Sequence, residues 1–281
     1  MALSTRNHDR DAAGMTYVYP VISRRAGGVS VGINLNPNNA CNWRCIYCQV
    51  PDLKRGGPPP IDLAQLENEL RAMLTDIVQG DFMVRQVAAE MRRLNDVAIS
   101  GNGEPTSAAE FPEVVDLVGR LLDEFGLTGR IKLVLITNGS LAHKAYVQDG
   151  LRQMAALGGE VWFKFDRATT AGVKQVNDTE ADPERHYQRL KIIAALCPTW
   201  IQTCVFKLDG MPPDEAEVCA YLDLLARVGA EAVSLSGVLL YGLARPSLQP
   251  EAARLSPLAS EWLDNLARRI RELNLNVHVS P

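Results

Sequence analysis

Three cysteines, Cys41, Cys45 and Cys48, stand within eight positions of the sequence, in the segment CNWRCIYC. Three thiols are too many for one disulfide and one too few for a closed tetrahedral zinc site. A [4Fe–4S] cluster is normally bound by four cysteine thiolates, so a loop that supplies three leaves one iron open to another ligand. The CxxxCxxC spacing suits this arrangement, because one irregular turn can wrap three corners of a cube. The alternatives are a zinc or iron site completed by a distant residue, and three unconnected thiols.

Two further polar segments directly follow predicted strands. GNGEPT at 101–106 is rich in flexible backbone; Gly103 has no Cβ and permits close approach, and Glu104 can anchor the loop. TNGS at 137–140 offers a hydroxyl group and an amide group from Thr137 and Asn138. Taken alone, each segment is also explained as a turn between a strand and a helix, with capping residues.

The strand VWFKFD at 161–166 carries charge where alternation predicts a buried face. Val161, Phe163 and Phe165 are expected to face outer helices, which leaves Trp162, Lys164 and Asp166 toward the interior. An inward lysine and acid are costly unless they meet each other or a polar ligand. On the next strand, alternation turns only one of Gln202 and Thr203 inward, and we predict Gln202. LSGVLL at 235–240 is expected to be core or apolar backing for a bound adenine.

The remaining cysteines, histidines and an arginine pair give weaker signals. Cys197, Cys204 and Cys219 are too spread along the sequence to predict an auxiliary cluster, and Cys219 is expected to pack in the core because it shares a helix face with Leu222. The four histidines are interpreted as surface or satisfied residues; they are His8, His143, His186 and His278. Arg24 and Arg25 could meet a phosphate or carboxylate, although a solvated surface pair is the commoner explanation.

Composition limits the class of protein. The 281 residues are 47% hydrophobic and 22% charged, which is ordinary for a globular chain with a sizeable core. A net charge of −4 argues against a surface that binds nucleic acid all over, but a local basic groove stays possible. The sequence shows no secretory signal and no apolar run long enough to span a bilayer. We therefore expect a cytoplasmic protein without a membrane partner, in which clustered thiols bind metal or do chemistry.

The elements that must position these residues alternate between strands and helices. Predicted strands are 29–35, 96–100, 131–136, 160–166, 200–207, 232–240 and 276–280; predicted helices are 61–78, 82–94, 113–125, 143–157, 184–196, 214–228 and 260–273. This alternation predicts right-handed βαβ units and an α/β fold, a partial (β/α)6 TIM-like barrel of parallel strands. We expect one domain at 23–281 after a polar N-terminal arm at 1–22. The chemistry-bearing segments all follow strands, so they should meet at one rim.

The cysteine segment resembles the signature of the radical S-adenosylmethionine (SAM) superfamily. GNGEPT is similar to its Gly-Gly-Glu-Pro motif, with Asn102 in place of the first glycine, and TNGS and the KFD strand also resemble superfamily segments. A looser resemblance links 23–51, 100–108 and 242–247 to the wyosine-type tRNA-modifying branch and its uncharacterised relatives. That branch has a second cluster bound near the N-terminus, but no cysteine precedes Cys41 here, which puts the wyosine product in doubt.

The resemblance implies an enzyme with two cofactors, a [4Fe–4S] cluster on the three cysteines and SAM, whose amino and carboxylate groups chelate the open iron. An electron from the cluster would cleave SAM to a 5′-deoxyadenosyl radical that abstracts hydrogen from the substrate. The implied SAM-binding residues follow the motif matches; they are Gly103, Glu104, Pro105, Thr137, Asn138, Lys164, Asp166 and Gln202. The substrate could be RNA, a peptide or protein, or a small molecule, and the partner a reductant such as flavodoxin or ferredoxin. A non-enzymatic zinc-binding structural protein is the alternative of another class.

Overall fold

The computed structural model describes residue 3, residues 14–23 and residues 27–280 of the chain. Within them, the main sheet has eight strands whose order across the sheet equals their order along the chain. They are β1 Val18–Ser23, β2 Gly28–Ile33, β3 Leu94–Ile99, β4 Lys132–Thr137, β5 Glu160–Lys164, β6 Thr199–Cys204, β7 Gly237–Tyr241 and β8 Val277–Ser280. Neighbouring strands from β2 to β8 are parallel, as the alternating pattern predicts.

Strand β1 is an addition that the sequence reading did not anticipate. It pairs antiparallel with β2, and its residues are almost all buried. The predicted boundary between an arm at 1–22 and the domain falls inside this strand, so the sheet begins earlier than expected. Pro20 lies within this strand, which an edge position permits because one side of its backbone needs no partner. Residues 1, 2 and 4–13 of the predicted arm lie outside the described part of the chain.

Eight helices follow or separate the strands in the described residues. They are α1 Leu63–Val78, α2 Phe82–Gln86, α3 Phe111–Glu124, α4 Ala145–Ala156, α5 Thr170–Asn177, α6 Pro183–Leu196, α7 Glu215–Ala230 and α8 Ser260–Arg271. Side chains at the N-cap positions of four helices accept from the first turn; these are Asp62, Thr169, Asp182 and Asp214. None of the helices in the described ranges is long and apolar enough to cross a membrane.

Alternation along the strands divides the sheet into two faces. On β5, Val161 and Phe163 are fully buried in the hydrophobic core, whereas Trp162 and Lys164 line a cavity on the opposite face. Residues from β1 through β7 line the same cavity, which requires the sheet to curl around it. No pairing in the described residues joins β1 to β8, so the barrel stays open. The predicted partial barrel is thus confirmed, with seven parallel strands.

Two predicted elements have different bounds in the structure, and one helix was not predicted. The helix at 82–94 ends after Gln86, because the chain must extend again for Leu94 to pair with Val29. The strand at 232–240 begins only at Gly237, since Ala232 has a left-handed backbone (φ 53°) that a strand does not accept. Helix α5 was not predicted: it has only eight residues, and Gly172 within it weakens the helical signal.

Candidate functional site

The three clustered cysteines lie in the loop after β2 and line the cavity at the carboxyl ends of the strands. Cys45 is buried, and Cys41 and Cys48 are half-buried. Burial raises the pKa of Cys41 to about 12 and that of Cys45 to about 11, so these thiols keep their protons unless a cation binds them. No three His, Cys, Asp or Glu side chains in the described chain converge on one ion position.

Backbone contacts fix the cysteine loop from two sides. The amide of Ile46 donates to the carbonyl of Val176, at the end of α5, over 2.9 Å. On the other side, the Ser247 hydroxyl donates to the Ile46 carbonyl (2.7 Å), and the amide of Leu248 donates to the Cys48 carbonyl (2.9 Å). Because these bonds reach the backbone between the cysteines, they set the spacing of the thiols without using the thiols themselves.

Ion pairs add a third constraint on the loop. The guanidinium group of Arg44 donates to both carboxylate oxygens of Glu251 and, through Nε, to Asp178 at 2.9 Å. Asp178 is the C-cap of α5, so the loop is tied to α5 and to the segment after β7 at once. The Arg44 hydrogen bonds lower the pKa of both acids, which keeps them ionised at neutral pH.

The GNGEPT loop packs directly beneath the cysteine loop. A Cβ on Gly103 would overlap the carbonyl oxygen of Ala40, which explains why glycine is needed there. Asn102, which departs from the family motif, donates from its side chain to Asn39 (2.6 Å), and its amide donates to the Asn34 side chain (2.9 Å). Asn102 therefore links the GNGEPT loop to the loop after β2, a contact that a glycine side chain could not make.

Glu104 is an anchor of this loop. Its carboxylate is 2% exposed and accepts from the hydroxyls of Thr106 and Thr137 (both 2.5 Å) and from the amide of Asn138 (2.6 Å). Burial raises its pKa. Gly103, Glu104 and Asn138 line the cavity. Pro105 and Thr137 are buried outside its lining, so a direct SAM contact predicted for them has no support from their position.

Asn138 connects the TNGS turn to the cysteine loop. Its side-chain amide donates to Asn42 over 2.8 Å, and Asn42 in turn donates to the hydroxyl of Ser140 over 2.7 Å. Asn42 is the residue after the first clustered cysteine. The turn, the GNGEPT loop and the cysteine loop therefore form one hydrogen-bonded unit.

Lys164 and Asp166 contact each other, which is one of the two alternatives predicted for the KFD strand. The Lys164 ammonium lies 3.8 Å from the Asp166 carboxylate and also contacts the hydroxyl of Tyr47. The Asp166 carboxylate accepts from the Tyr47 hydroxyl over 2.6 Å and from the backbone amide of Cys204 over 2.9 Å. Burial alone would raise the pKa of Asp166, but Lys164 and Tyr47 outweigh it and the pKa is lowered. Lys164 lines the cavity, whereas Asp166 lies behind it.

On β6, Gln202 faces the cavity and Thr203 faces the helices, where its hydroxyl contacts that of Tyr221 at 2.6 Å. The same alternation brings Cys204 into the cavity lining, a placement that two-residue spacing from Gln202 would have predicted. In the 235–240 segment, Val238 and Leu240 are fully buried core, in agreement with the core alternative for that segment.

The remaining cysteines and histidines lie in different parts of the structure. Cys197 is buried away from the cavity, and Cys219 is exposed, so the expectation that Cys219 packs in the core is wrong; it lies on the outer side of α7, near Arg269. His143 and His278 are exposed, whereas His186 is 3% exposed and packs against Phe163, Phe165 and Trp43. Arg24, Arg25 and His8 lie outside the described residues.

Sequence reasoning missed Asn177 and the role of Tyr47 as a hydrogen-bond donor. Asn177 ends α5, is 1% exposed, and its side-chain amide contacts both Cys45 and Asp166. No local sequence pattern predicts this role, because its partners Cys45 and Asp166 lie 132 and 11 positions away in the sequence. The cavity that these groups surround has a volume of about 310 Å³, within the lower range of small-molecule sites.

Comparisons with known proteins agree with this geometry. A sequence model described as the radical SAM superfamily matches residues 35–224. A UPF0026 protein of Helicobacter pylori is 28% identical over 139 residues, covering 48% of this chain and 38% of that protein. The chain thus spans well under half the length of that relative. A UPF0026 protein of Synechocystis sp. is 24% identical over 225 residues, covering 78% of this chain and 74% of that protein.

Two solved structures share the fold. TYW1 with a lysine–pyruvate adduct has a TM-score of 0.56 and 17% identity, over 86% of this chain and 73% of that chain. A radical SAM methyltransferase from Sphaerobacter thermophilus has a TM-score of 0.57 and 12% identity, over 93% of this chain and 68% of that chain. These likenesses confirm the curled α/β half-barrel.

Proposed function

The chain belongs to the radical SAM superfamily, whose members are enzymes that use a [4Fe–4S] cluster and SAM, and we propose that Cys41, Cys45 and Cys48 bind that cluster here. When bound, the cluster supplies the electron that cleaves SAM reductively, and the resulting 5′-deoxyadenosyl radical abstracts hydrogen from the substrate. One observation carries the proposal: three thiols with this spacing share one cavity with the motif loops at the strand ends. A non-enzymatic zinc protein does not fit a member of this enzyme family.

The donor set fits the cluster. Three thiolates leave one iron without a protein ligand, as the family chemistry requires. The loop is held by its backbone and by Arg44, and the hydrogen bonds to the clustered sulfurs are weak: Cys41 contacts the Asn42 side chain at 4.0 Å and Cys45 contacts the Asn177 amide at 3.3 Å. Tyr47 and Trp43, which are both nearly buried, shield the loop from water.

We assign the predicted SAM residues two different tasks. Gly103, Asn138, Lys164 and Gln202 line the cavity and are proposed to contact SAM, with Lys164 proposed as a cation for its carboxylate. Glu104 lines the cavity too, but both of its oxygens already accept hydrogen bonds. Glu104, Pro105, Thr137 and Asp166 are therefore proposed to shape and hold the loops that bind SAM.

For the substrate, we propose only a chemical class. The likeness to TYW1 agrees with the wyosine-type resemblance and keeps RNA as the first candidate, ahead of a peptide or protein and a small molecule. Two exposed arginines of this rim are paired with acids, Arg55 with Asp178 and Arg254 with Asp209. An RNA substrate would therefore compete with these pairs. Enzymes of this family need a reductant, and a cytoplasmic flavodoxin or ferredoxin is the proposed partner.

The test is anaerobic purification followed by metal and product analysis. We expect a brown protein with iron and sulfide, which forms 5′-deoxyadenosine with SAM and dithionite. Replacing Cys41, Cys45 and Cys48 together by alanine should remove both the cluster and the product. Cys219→Ala is the matched control, because that thiol is exposed and distant, and it should change neither. Zinc in place of iron, or no 5′-deoxyadenosine from a fully loaded protein, would contradict the proposal.

A further inference from the structure

The side chain of Asn177 stands between a cluster cysteine and a buried carboxylate. Its amide nitrogen lies 3.3 Å from the sulfur of Cys45 and 2.8 Å from a carboxylate oxygen of Asp166. An amide nitrogen carries two hydrogens, so it can donate to both acceptors at once. Asn177 and Cys45 are both buried, which removes water as a competing donor.

Asp166 determines which end of the Asn177 amide faces the sulfur. An ionised carboxylate only accepts hydrogen bonds, so the group of Asn177 that meets it must be the nitrogen and not the oxygen. Asp166 is itself fixed by Tyr47 and by the amide of Cys204, and Lys164 favours its charged form. The second hydrogen of the amide is therefore held toward Cys45.

We infer that Asn177 is a positioning residue that donates an N–H···S hydrogen bond to the Cys45 thiolate and thereby raises the reduction potential of the cluster. The inference rests on the proposed function, because it takes Cys45 as a cluster ligand. Hydrogen bonds to the sulfurs are among the factors that set the potentials of iron–sulfur clusters. One-electron reduction places more negative charge on the sulfur, and the bond strengthens with that charge, so it stabilises the reduced form.

The experiment is a redox titration of the loaded protein with dithionite as the electron source, followed by the electron paramagnetic resonance of the reduced cluster. Asn177→Leu keeps the number and branching of the side chain's heavy atoms but removes the donor. We expect the ratio of reduced to oxidised cluster at a fixed potential to fall about three- to tenfold, the range given by one hydrogen bond. Iron and sulfide content should match the wild type. Asn177→Ala carries the same expectation and introduces no branched bulk if the leucine variant fails to fold.

Val173→Ala is the matched control, because Val173 is a buried residue of the same helix whose aliphatic side chain cannot donate to a sulfur or a carboxylate. It should loosen α5 and leave the potential unchanged. An unchanged potential and spectrum in loaded Asn177→Leu and Asn177→Ala would overturn the inference, as would an equal shift in Val173→Ala. A wild-type protein without iron would overturn the proposed function itself, whereas a loaded wild type insensitive to Asn177 overturns this inference alone.

Discussion

Two buried carboxylates lie at the same rim, on loops that are separated by the TNGS turn after β4, and they are held in similar ways. Glu104 follows β3 and Asp166 follows β5. Each is at most 5% exposed, each accepts from a hydroxyl group, and each accepts from a backbone amide of the next strand's end: Asn138 for Glu104 and Cys204 for Asp166. Both therefore join consecutive strand ends of the half-barrel.

The two differ in their charge partners. Lys164 lies beside Asp166, whereas the described chain contains no ion pair to Glu104. Burial raises the pKa of Glu104, while Lys164 and Tyr47 overcome burial and lower the pKa of Asp166. The same sequence signal, an acid just after a strand, has thus produced one carboxyl whose pKa is lowered beside an ammonium group and one whose pKa is raised by burial.

Asp166→Asn should give the largest effect, because it leaves the Lys164 ammonium without its carboxylate. Breaking a buried pair by removing one partner costs about 3–5 kcal/mol of unfolding free energy. Urea unfolding under anaerobic conditions measures this loss. A loss under 1 kcal/mol would mean that Lys164 finds other partners, and the contrast between the two carboxylates would then lose its basis.

The double variant Lys164→Met with Asp166→Asn separates charge from geometry. Since it removes both charges, we expect it to recover part of the stability that Asp166→Asn loses. A double variant as unstable as the single one would show that the hydrogen bonds of Asp166, and not its charge, account for the loss.

His186 provides a pH-dependent probe of the Asp166 side. Its Nε2 lies 2.8 Å from the Lys164 carbonyl and so must donate, while its Nδ1 has no hydrogen-bond partner in the described chain. Burial lowers its pKa from 6.5 to about 4. The unfolded chain therefore binds the proton at a higher pH than the folded chain does. The free energy of unfolding is highest above pH 6.5 and falls by about 3 kcal/mol as the pH is lowered to 4. Urea unfolding of wild type and His186→Leu across this range should show a larger loss in the wild type, and the difference between the two proteins is the contribution of His186.

Glu104→Gln should be milder than Asp166→Asn. The amide keeps one accepting oxygen but places an NH₂ group against a donor, most directly the Asn138 amide, so one hydrogen bond is lost without stranding a charge. We expect a loss of about 1–3 kcal/mol of unfolding free energy. Urea unfolding beside Asp166→Asn tests the ranking, and a Glu104→Gln variant less stable than Asp166→Asn would reverse it.

The parts of the site that were predictable carry short-range signals. The cysteine spacing and the strand alternation that turns Lys164 and Gln202 inward are both readable within a few residues. The same alternation would also have identified Cys204, two positions after Gln202. The helix–strand order predicted the half-barrel for a similar reason, since each βαβ unit has only one favoured hand.

The anchoring role of Glu104 and the pairing of Asp166 with Lys164 were predictable, but most hydrogen-bond partners of the two acids were not, because those partners are distant in sequence. Tyr47 and Asp166 are 119 positions apart, and Thr137 and Glu104 are 33 apart. A motif match placed both acids at the rim but could not show that their oxygens were already occupied. Strand β1 was missed because residues 1–22 were interpreted together as a polar arm, although Val18–Ser23 pair antiparallel with β2.

The smallest and most diagnostic effect is a difference of sign in the pH dependence of unfolding. The pKa of Glu104 in the folded chain lies above its ordinary 4.5, so the folded chain binds that proton at a higher pH than the unfolded chain does. Relative to Glu104→Gln, the wild type therefore gains stability as the pH falls through the raised pKa toward 4.5. The folded pKa of Asp166 lies below its ordinary 3.8, so the wild type loses stability relative to Asp166→Asn as the pH falls below 3.8. Urea midpoints of the three proteins from pH 7 to pH 3 measure both trends. If the two differences ran in the same direction, Glu104 and Asp166 would share one charge state, and the ammonium of Lys164 would no longer explain what distinguishes them.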